Sequence, residues 1–464
     1  MALNGSDHPP AGLLARFLRG EDAPEEGARL RAHLEAGCVP CLLARSDLAR
    51  AIHAEGAGAL RRGLGIGQAP ARSEVERSQL LALASRRLER LAWVEGLEGR
   101  VAPGLLGELE RLPREERPQA VRHQERYQLL GLAEYLTAQA REAVFHDLAR
   151  ALDLGDLAIE VADCLDSRVY LPRAIADAGA LAAAALGNAR RVAADLVGAG
   201  RAFAAARERL AAGSGDEGAR AEVLSLLGSL RRSQARFPEA RRVLEEALAR
   251  ARRGGTPEQQ ARIVLKLAKT LGDGGDPEAA IALLERSTPL LDRPGPGDLS
   301  HYRLQSLAGL LVEAGRPAEA RAAFNRARRD LLERVTGAAD RKRLVWLDGL
   351  ILWGEKKRVE AEERLRAARD AFRDLDAGYD VALISLDLAA FYLEEGRTAD
   401  VRRLAEEMLP VFTSRALHRH ALHALVLFQR AAEAESLTLA WVRDLARYLR
   451  HARENPALRF QPHG

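Results

Sequence analysis

Arg236-Phe237-Pro238-Glu239-Ala240 is written again, with variations, as Gly275-Asp276-Pro277-Glu278-Ala279-Ala280, Gly315-Arg316-Pro317-Ala318-Glu319-Ala320, Lys357-Arg358-Val359-Glu360-Ala361 and Gly396-Arg397-Thr398-Ala399-Asp400-Val401. The last residues of these segments lie 40, 40, 41 and 40 positions apart. A weaker copy, Asp195 to Gly200, sits another 40 residues upstream of Ala240. Twelve residues before each of the five later marks stands a small residue: Gly228, Ala268, Ala308, Gly349 or Ala389. A small side chain at a fixed place lets two helix backbones approach while larger residues pack on either side. Leu227, Leu267, Leu307 and Leu388 flank that point, and Leu244, Leu284, Phe324 and Leu365 supply the facing helix. Each copy reads as two helices joined by a short turn, and a fixed period of this length marks a stacked array.

Composition agrees with that reading. At 464 residues the chain exceeds the usual single domain, so several domains or one long array are expected. Hydrophobic residues make up 47 % but aromatics only 5 %, which suits many small Ala- and Leu-rich interfaces better than one large aromatic core. From about Glu74 onward no segment alternates with the period-2 pattern of a strand, so the region reads as all-α. The net charge of +4 is carried by helix-face pairs such as Arg241 and Arg242 with Glu245 and Glu246, which solvate a surface. Only five of the 70 basic residues are lysine, a bias that points to base composition rather than to phosphate binding, and nucleic acid is not the expected partner. No run approaches the ~18 apolar residues needed to span a bilayer, and Met1 to Pro10 has no basic start leading into an apolar stretch. Three cysteines cannot build a secreted disulfide framework, so the cytoplasm is the expected location.

The repeated segments resemble the tetratricopeptide repeat, which has one small residue in the first helix and another opening the second after a Gly-polar turn. The resemblance covers residues 180–412. It implies a right-handed helical-repeat solenoid whose inner groove is lined by the first helix of each pair. The period of about 40 exceeds the usual 34, which implies longer helices or loops, and the proline expected after each pair is mostly absent. Residues 74–179 have helical periodicity without the signature and read as degenerate hairpins. The last pair, about Ala416 to Arg453, reads as the cap of the stack within residues 413–464.

Residues 1–53 form a separate helical unit, with Leu13, Leu14, Phe17 and Leu18, then Leu30 and Leu34, at helical spacing and Pro24 opening the second helix. Residues 54–73, rich in Gly, Ala and Arg, read as a flexible linker. Within the unit, His33-Leu-Glu-Ala-Gly-Cys38-Val-Pro-Cys41 places an imidazole at a helix end and two thiols across a turn, a set that can converge on one zinc ion. The stretch from Leu13 to Cys41 resembles the zinc-binding domain of anti-sigma factors. That family spaces His and the first Cys by three residues where this chain has four, and offers an upstream Cys where this chain has only His8. A structural zinc on His33, Cys38, Cys41 and His8 stands beside a zincless descendant whose His33 merely packs between helices. A redox pair is the weaker reading, for no βαβ context surrounds it.

Other candidates carry less. Gly63, Gly65 and Gly67 follow Arg61 and Arg62 rather than a strand, so they read as linker and not as a phosphate loop. His418, His420 and His423 cannot all share one narrow helical face, so capping or surface roles are favoured over a metal. Cys164 reads as a small buried hydrophobe. No catalytic motif is visible, and His123, Glu125, Tyr127, Glu134 and His146 are the reactive groups an enzyme would have to use.

The tetratricopeptide resemblance places Arg232, Lys269, Tyr302, Gln305, Arg343, Trp346 and Trp353 toward the groove. Aromatics beside cations suit an interface for an acidic or C-terminal peptide, while both tryptophans equally suit a helix–helix contact. The expected function is a non-enzymatic adaptor or regulatory scaffold for a protein or peptide partner. The alternative is a transcription-control regulator that binds a sigma factor through residues 1–53 and senses a signal through the repeats.

Overall fold

The computed structural model describes residues 9, 13, 14, 16, 17, 23–38, 41, 96–144, 146–293, 299–334, 338–373, 378–408 and 418–461. Among them every regular element is a helix. They form two compact units: residues 1–190 with 199–216, and residues 191–198 with 217–464. The expected linker at 54–73, its three glycines and His8 lie outside the described residues.

In the first unit, α1 (Pro24–Glu35) begins at an extended Ala23, with Pro24 in its first turn and Glu25 and Glu26 complementing the positive helix end. It stops at Gly37, whose φ of +81° a residue with a Cβ adopts only under strain. Some fifty residues bury too little surface to hold a fold alone. Here the apolar face Leu14, Phe17, Leu30, Leu34 and Cys41 belongs to one continuous core with Leu97, Val101, Leu105 and Leu109 of α2 (residues 96–110). That core continues through α3 (Arg117–His123), α4 (Leu130–Ala143), α5 (Leu148–Asp163) and the start of α6 (Pro172–Val192). Helix α7 (Leu196–Ala212) buries Phe203 against Gly187 of α6. A polar tie crosses the core: Glu98 accepts from the Gly131 backbone N–H at 3.0 Å and from the Tyr170 hydroxyl at 2.9 Å.

The second unit is a series of helix pairs. First helices are α8 (Glu217–Ser233), α10 (Pro257–Asp273), α12 (Ser300–Glu313), α14 (Ala338–Gly354), α16 (Gly378–Glu394) and α18 (Arg419–Glu433). Second helices are α9 (Phe237–Gly254), α11 (Pro277–Arg286), α13 (Pro317–Arg334), α15 (Arg358–Arg373), α17 (Thr398–Glu407) and α19 (Leu439–Ala452). The long period comes from helix length: α8 has 17 residues and α9 has 18.

The recurring turn has one geometry. Ala235, Gly275, Gly315, Lys356, Gly396 and Glu435 all have positive φ. The next N–H closes on the carbonyl five residues back, as in Arg236 to Arg231 and Gly396's neighbour Arg397 to Tyr392. This six-residue closure satisfies carbonyls that a helix end would otherwise leave without a donor. Close crossing is real at the small residues: a Cβ on Gly228 would meet Leu244 Cγ at 2.6 Å, and one on Gly349 would meet Leu365 Cγ at 2.9 Å. The last pair departs from the others. Its turn at Glu435 is the same, but α19 packs chiefly on α16 rather than closing a hairpin against α18, so it runs across the first helices.

Candidate functional site

The residues expected to line a groove fall in two groups on the first helices. Arg232, at the end of α8, is mostly buried; its guanidinium donates to Asp273 at 2.8 Å and to both oxygens of Glu454 at 2.9 Å. Ser233 donates its hydroxyl to Glu454 at 2.5 Å, and Arg191 stands 3.6 Å from the same carboxylate. Burial alone would raise the Glu454 carboxyl, yet Arg232, Lys269, the Ser233 hydroxyl and Arg191 outweigh it and hold its pKa at about 2. Lys269 is exposed, and the nearby Arg232 charge lowers its pKa.

Three residues before this carboxylate, the C-terminal end of α19 carries His451, whose ring lies 5.1 Å from that of Phe237. Burial lowers its pKa, with Asp273 and Glu454 opposing and Arg232 and Arg450 assisting. Arg450 reaches Glu313 of α12 at 3.4 Å, Arg453 reaches Asp380 at 3.1 Å and Arg443 reaches Glu394 at 3.1 Å, both on α16. Residues 443–454 therefore lie against the first helices α8, α12 and α16.

The second group is aromatic. Trp346 donates its indole N–H to Asp387 at 2.8 Å, and Trp353 donates to Glu394 at 2.9 Å, so the two tryptophans of α14 bind α16 in parallel. Their rings meet Phe372 and Phe391 edge-on at 6.4 and 5.8 Å. Both thus serve a helix–helix contact while staying half-buried. Burial pushes the Asp387 carboxyl upward against the opposing pull of Arg450 and of Trp346. Tyr302 is exposed, its ring tilted against that of His301 with centroids 4.0 Å apart; Gln305 is half-buried and Arg343 exposed.

The N-terminal candidates also converge. The ligand atoms of His33, Cys38 and Cys41 lie within 4.8 Å of one another, and His33 Nε2 is 3.3 Å from Cys41 Sγ. Tetrahedral zinc with bonds of about 2.1 and 2.3 Å holds N and S roughly 3.5 Å apart, so this donor set fits. Burial, then the neighbouring Cys38, pushes the Cys41 thiol up to about 12.

The remaining candidates have structural places. His418 caps α18 by accepting from Ala421 N–H on Nδ1 at 3.3 Å, which leaves Nε2–H to donate to the Ala452 carbonyl at 2.6 Å. His423 is exposed, and the His420 side chain lies outside the described residues. Tyr127 is buried with its hydroxyl on Glu108 at 3.3 Å, while His123, Glu125, Glu134 and His146 are exposed. Cys164 is only half-buried, at the C-terminal end of α5. Among the described residues no helix is long and apolar enough to cross a membrane.

Residues 219–293, from α8 to just beyond α11, match the family model described as the tetratricopeptide repeat. Residues 219–293 carry tetratricopeptide repeats. No curated protein matches it in sequence. Among solved structures, it is similar to aspartyl phosphate phosphatase F from Bacillus subtilis at 11 % identity, covering 90 % of this chain and 97 % of that one, with a TM-score of 0.48. It is similar also to a Rap protein complexed with competence and sporulation factor, at 13 % identity, 77 % and 98 % coverage and a TM-score of 0.43. A third likeness is to pilF of Pseudomonas aeruginosa, at 16 % identity, 53 % and 98 % coverage and a TM-score of 0.35. In this helical array the residues that the sequence did not single out are Glu454, Ser233, Asp273 and Arg191. They come together from positions as far apart as 191 and 454, and no local spacing signals that.

Proposed function

We propose that the chain is a regulatory scaffold that holds a protein or peptide partner against the first helices of its repeats, by binding alone and without a chemical step. The observation that carries this reading is the exposed side of those helices, where Tyr302, Arg343 and Lys269 offer an aromatic and two cations on a preformed surface. Rigid aromatics and arginines lose little entropy on binding, so such a surface can anchor a partner. A photo-cross-linking residue placed at Tyr302 of the full chain, in its native host, tests this against one at Val359, an exposed residue of the second helix α15. A discrete protein adduct from position 302 and none from 359 supports it. Adducts from 359 alone overturn it.

A second reading rests on His33, Cys38 and Cys41. They would hold a structural zinc as imidazole and thiolates, with His8 as the candidate fourth ligand, and the metal would pin the end of α1 to the turn after it. Such a module in a reducing compartment, the cytoplasm, suits a transcription-control role in which residues 1–53 bind a sigma factor and the repeats act as sensor.

A further inference from the structure

In a solenoid each repeat touches only its neighbours, so the curvature is a sum of small rotations and can open or close by degrees. The last helix of this chain departs from that rule. It meets α16 in antiparallel sense: Arg443, near its start, reaches Glu394 at 3.1 Å, and Arg453, just past its end, reaches Asp380 at 3.1 Å. Val442, Leu445 and Leu449 fix it in the core it shares with α16, with no exposed surface. Its far end then crosses to earlier pairs. Arg450 meets Glu313 of α12 at 3.4 Å, the His451 ring lies 5.1 Å from that of Phe237 at the start of α9, and Glu454 binds Arg232 and Ser233 of α8. Asp273, at the end of α10, shares Arg232. The segment beyond is fastened too. Leu458 and Phe460 pack on the same core, the Phe460 ring lies 5.3 Å from those of Trp441 and Tyr448, and the Tyr448 hydroxyl donates to the Leu458 carbonyl at 3.1 Å.

We infer that α19 and residues 453–461 form a strap that closes the array, tying α8 and α12 to α16 so that the pairs between them keep one curvature. Opening the array would have to part Arg232 from Glu454 and Arg450 from Glu313 and draw Phe237 off His451 together, because the other side of the strap is held in the core. Arg232 and Glu454 are largely shielded from water, so separating them costs more than parting an exposed pair. The strap is held at its base by apolar packing and at its far end by charge, so the closure can be loosened while α19 stays folded. It belongs to the free chain and holds whether or not a partner lies against the first helices.

Distances across the array of the full chain test this. Ketone amino acids at position 242 of α9 and position 406 of α17, both exposed, take nitroxide labels that leave the cysteines untouched. The unsubstituted chain should give one narrow distance distribution. Arg450→Gln together with Glu454→Gln should at least double its width, while hydrogen exchange of α16 and of residues 439–449 stays slow. An unchanged width would mean that repeat stacking alone sets the curvature, and loss of protection throughout would make these residues a brace of the whole unit; either result overturns the strap. Charge exchange gives a second readout: Arg450→Glu alone should widen the distribution, and adding Glu313→Arg should restore it. A distribution that stays wide in the double variant also overturns the strap. No partner is present in these measurements, so their failure leaves the outcome of the cross-link at Tyr302 to be judged by itself.

Discussion

Arg232 Nη2 lies 2.9 Å from both carboxylate oxygens of Glu454, 222 residues further along the chain. One ion pair thereby joins the end of the first helix matched by the tetratricopeptide model to the turn after the last helix. Exposed ion pairs contribute little, but here the Arg232 and Glu454 side chains are 12 % and 25 % exposed, and the geometry is fixed by Ser233 and Asp273.

Docking of the chain's end should weaken with acid. Glu454 has a pKa held at about 2, below the ordinary carboxylate value of about 4.3, so its contribution is complete above ~4.3 and is lost as the pH falls toward 2. His451 is shifted below 6.5, so the docked state favours the neutral ring and loses support as the pH drops below 6.5. Burial, Arg232 and Arg450 outweigh Asp273 and Glu454 at His451, and Arg232, Lys269 and Arg191 outweigh burial at Glu454, so both shifts have the same acid-sensitive sense. Protection factors of residues 451–458 should therefore fall between pH 7 and pH 4 relative to those of α10. A constant ratio would contradict this.

Glycine-to-alanine changes should differ in sign along the array. At Gly349 the added Cβ meets Leu365 Cγ at 2.9 Å and its backbone N at 3.1 Å, so overpacking outweighs the gain in helix propensity and Gly349→Ala should cost about 1–3 kcal/mol. At Gly309 of α12 nothing lies within 4 Å, and Gly309→Ala should gain up to about 1 kcal/mol. Urea midpoints at unchanged slope read both.

The turn at Lys356 is strained by its side chain, with φ at +63°. Its equivalents Gly315 and Gly396 are glycines in the same conformation, at φ +72° and +69°. Lys356→Gly should therefore stabilise the chain, by about 0.5–1 kcal/mol, since the left-handed penalty of roughly 1–2 kcal/mol exceeds the added unfolded-state entropy. A lower urea midpoint in Lys356→Gly would show that the lysine serves another contact.

Zinc should copurify at about one ion per chain and vanish in His33→Ala, Cys38→Ser, Cys41→Ser, as read by elemental analysis under reducing, chelator-free conditions. Because Leu30, Leu34 and Cys41 share the core of α2, loss of metal should also loosen helix 96–110, seen as faster hydrogen exchange there. No zinc in the unsubstituted chain would remove the metal reading and leave His33 as a packed core residue.

The array was legible because its restraints are local and repeated. A small residue twelve positions before each turn is a demand of one helix crossing, and the Gly228–Leu244 and Gly349–Leu365 contacts meet it. The turn itself was harder to read, since Ala235, Lys356 and Glu435 adopt a left-handed conformation that glycine usually marks. His33, Cys38 and Cys41 lie within nine residues and could be grouped by spacing, while their shared core with α2 could not, because the packing partner lies beyond residue 95. Glu454 was invisible for the same reason in stronger form: its meaning comes from Arg232, Ser233 and Arg191, and tertiary placement alone supplies them.

The most direct measurement is hydrogen exchange of the full chain with and without the protein recovered by the position-302 cross-link. Binding against the first helices predicts added protection along α8, α10, α12 and α14 and unchanged second helices α9, α11, α13 and α15. Protection confined to the second helices, with the first helices unaffected, would contradict the account.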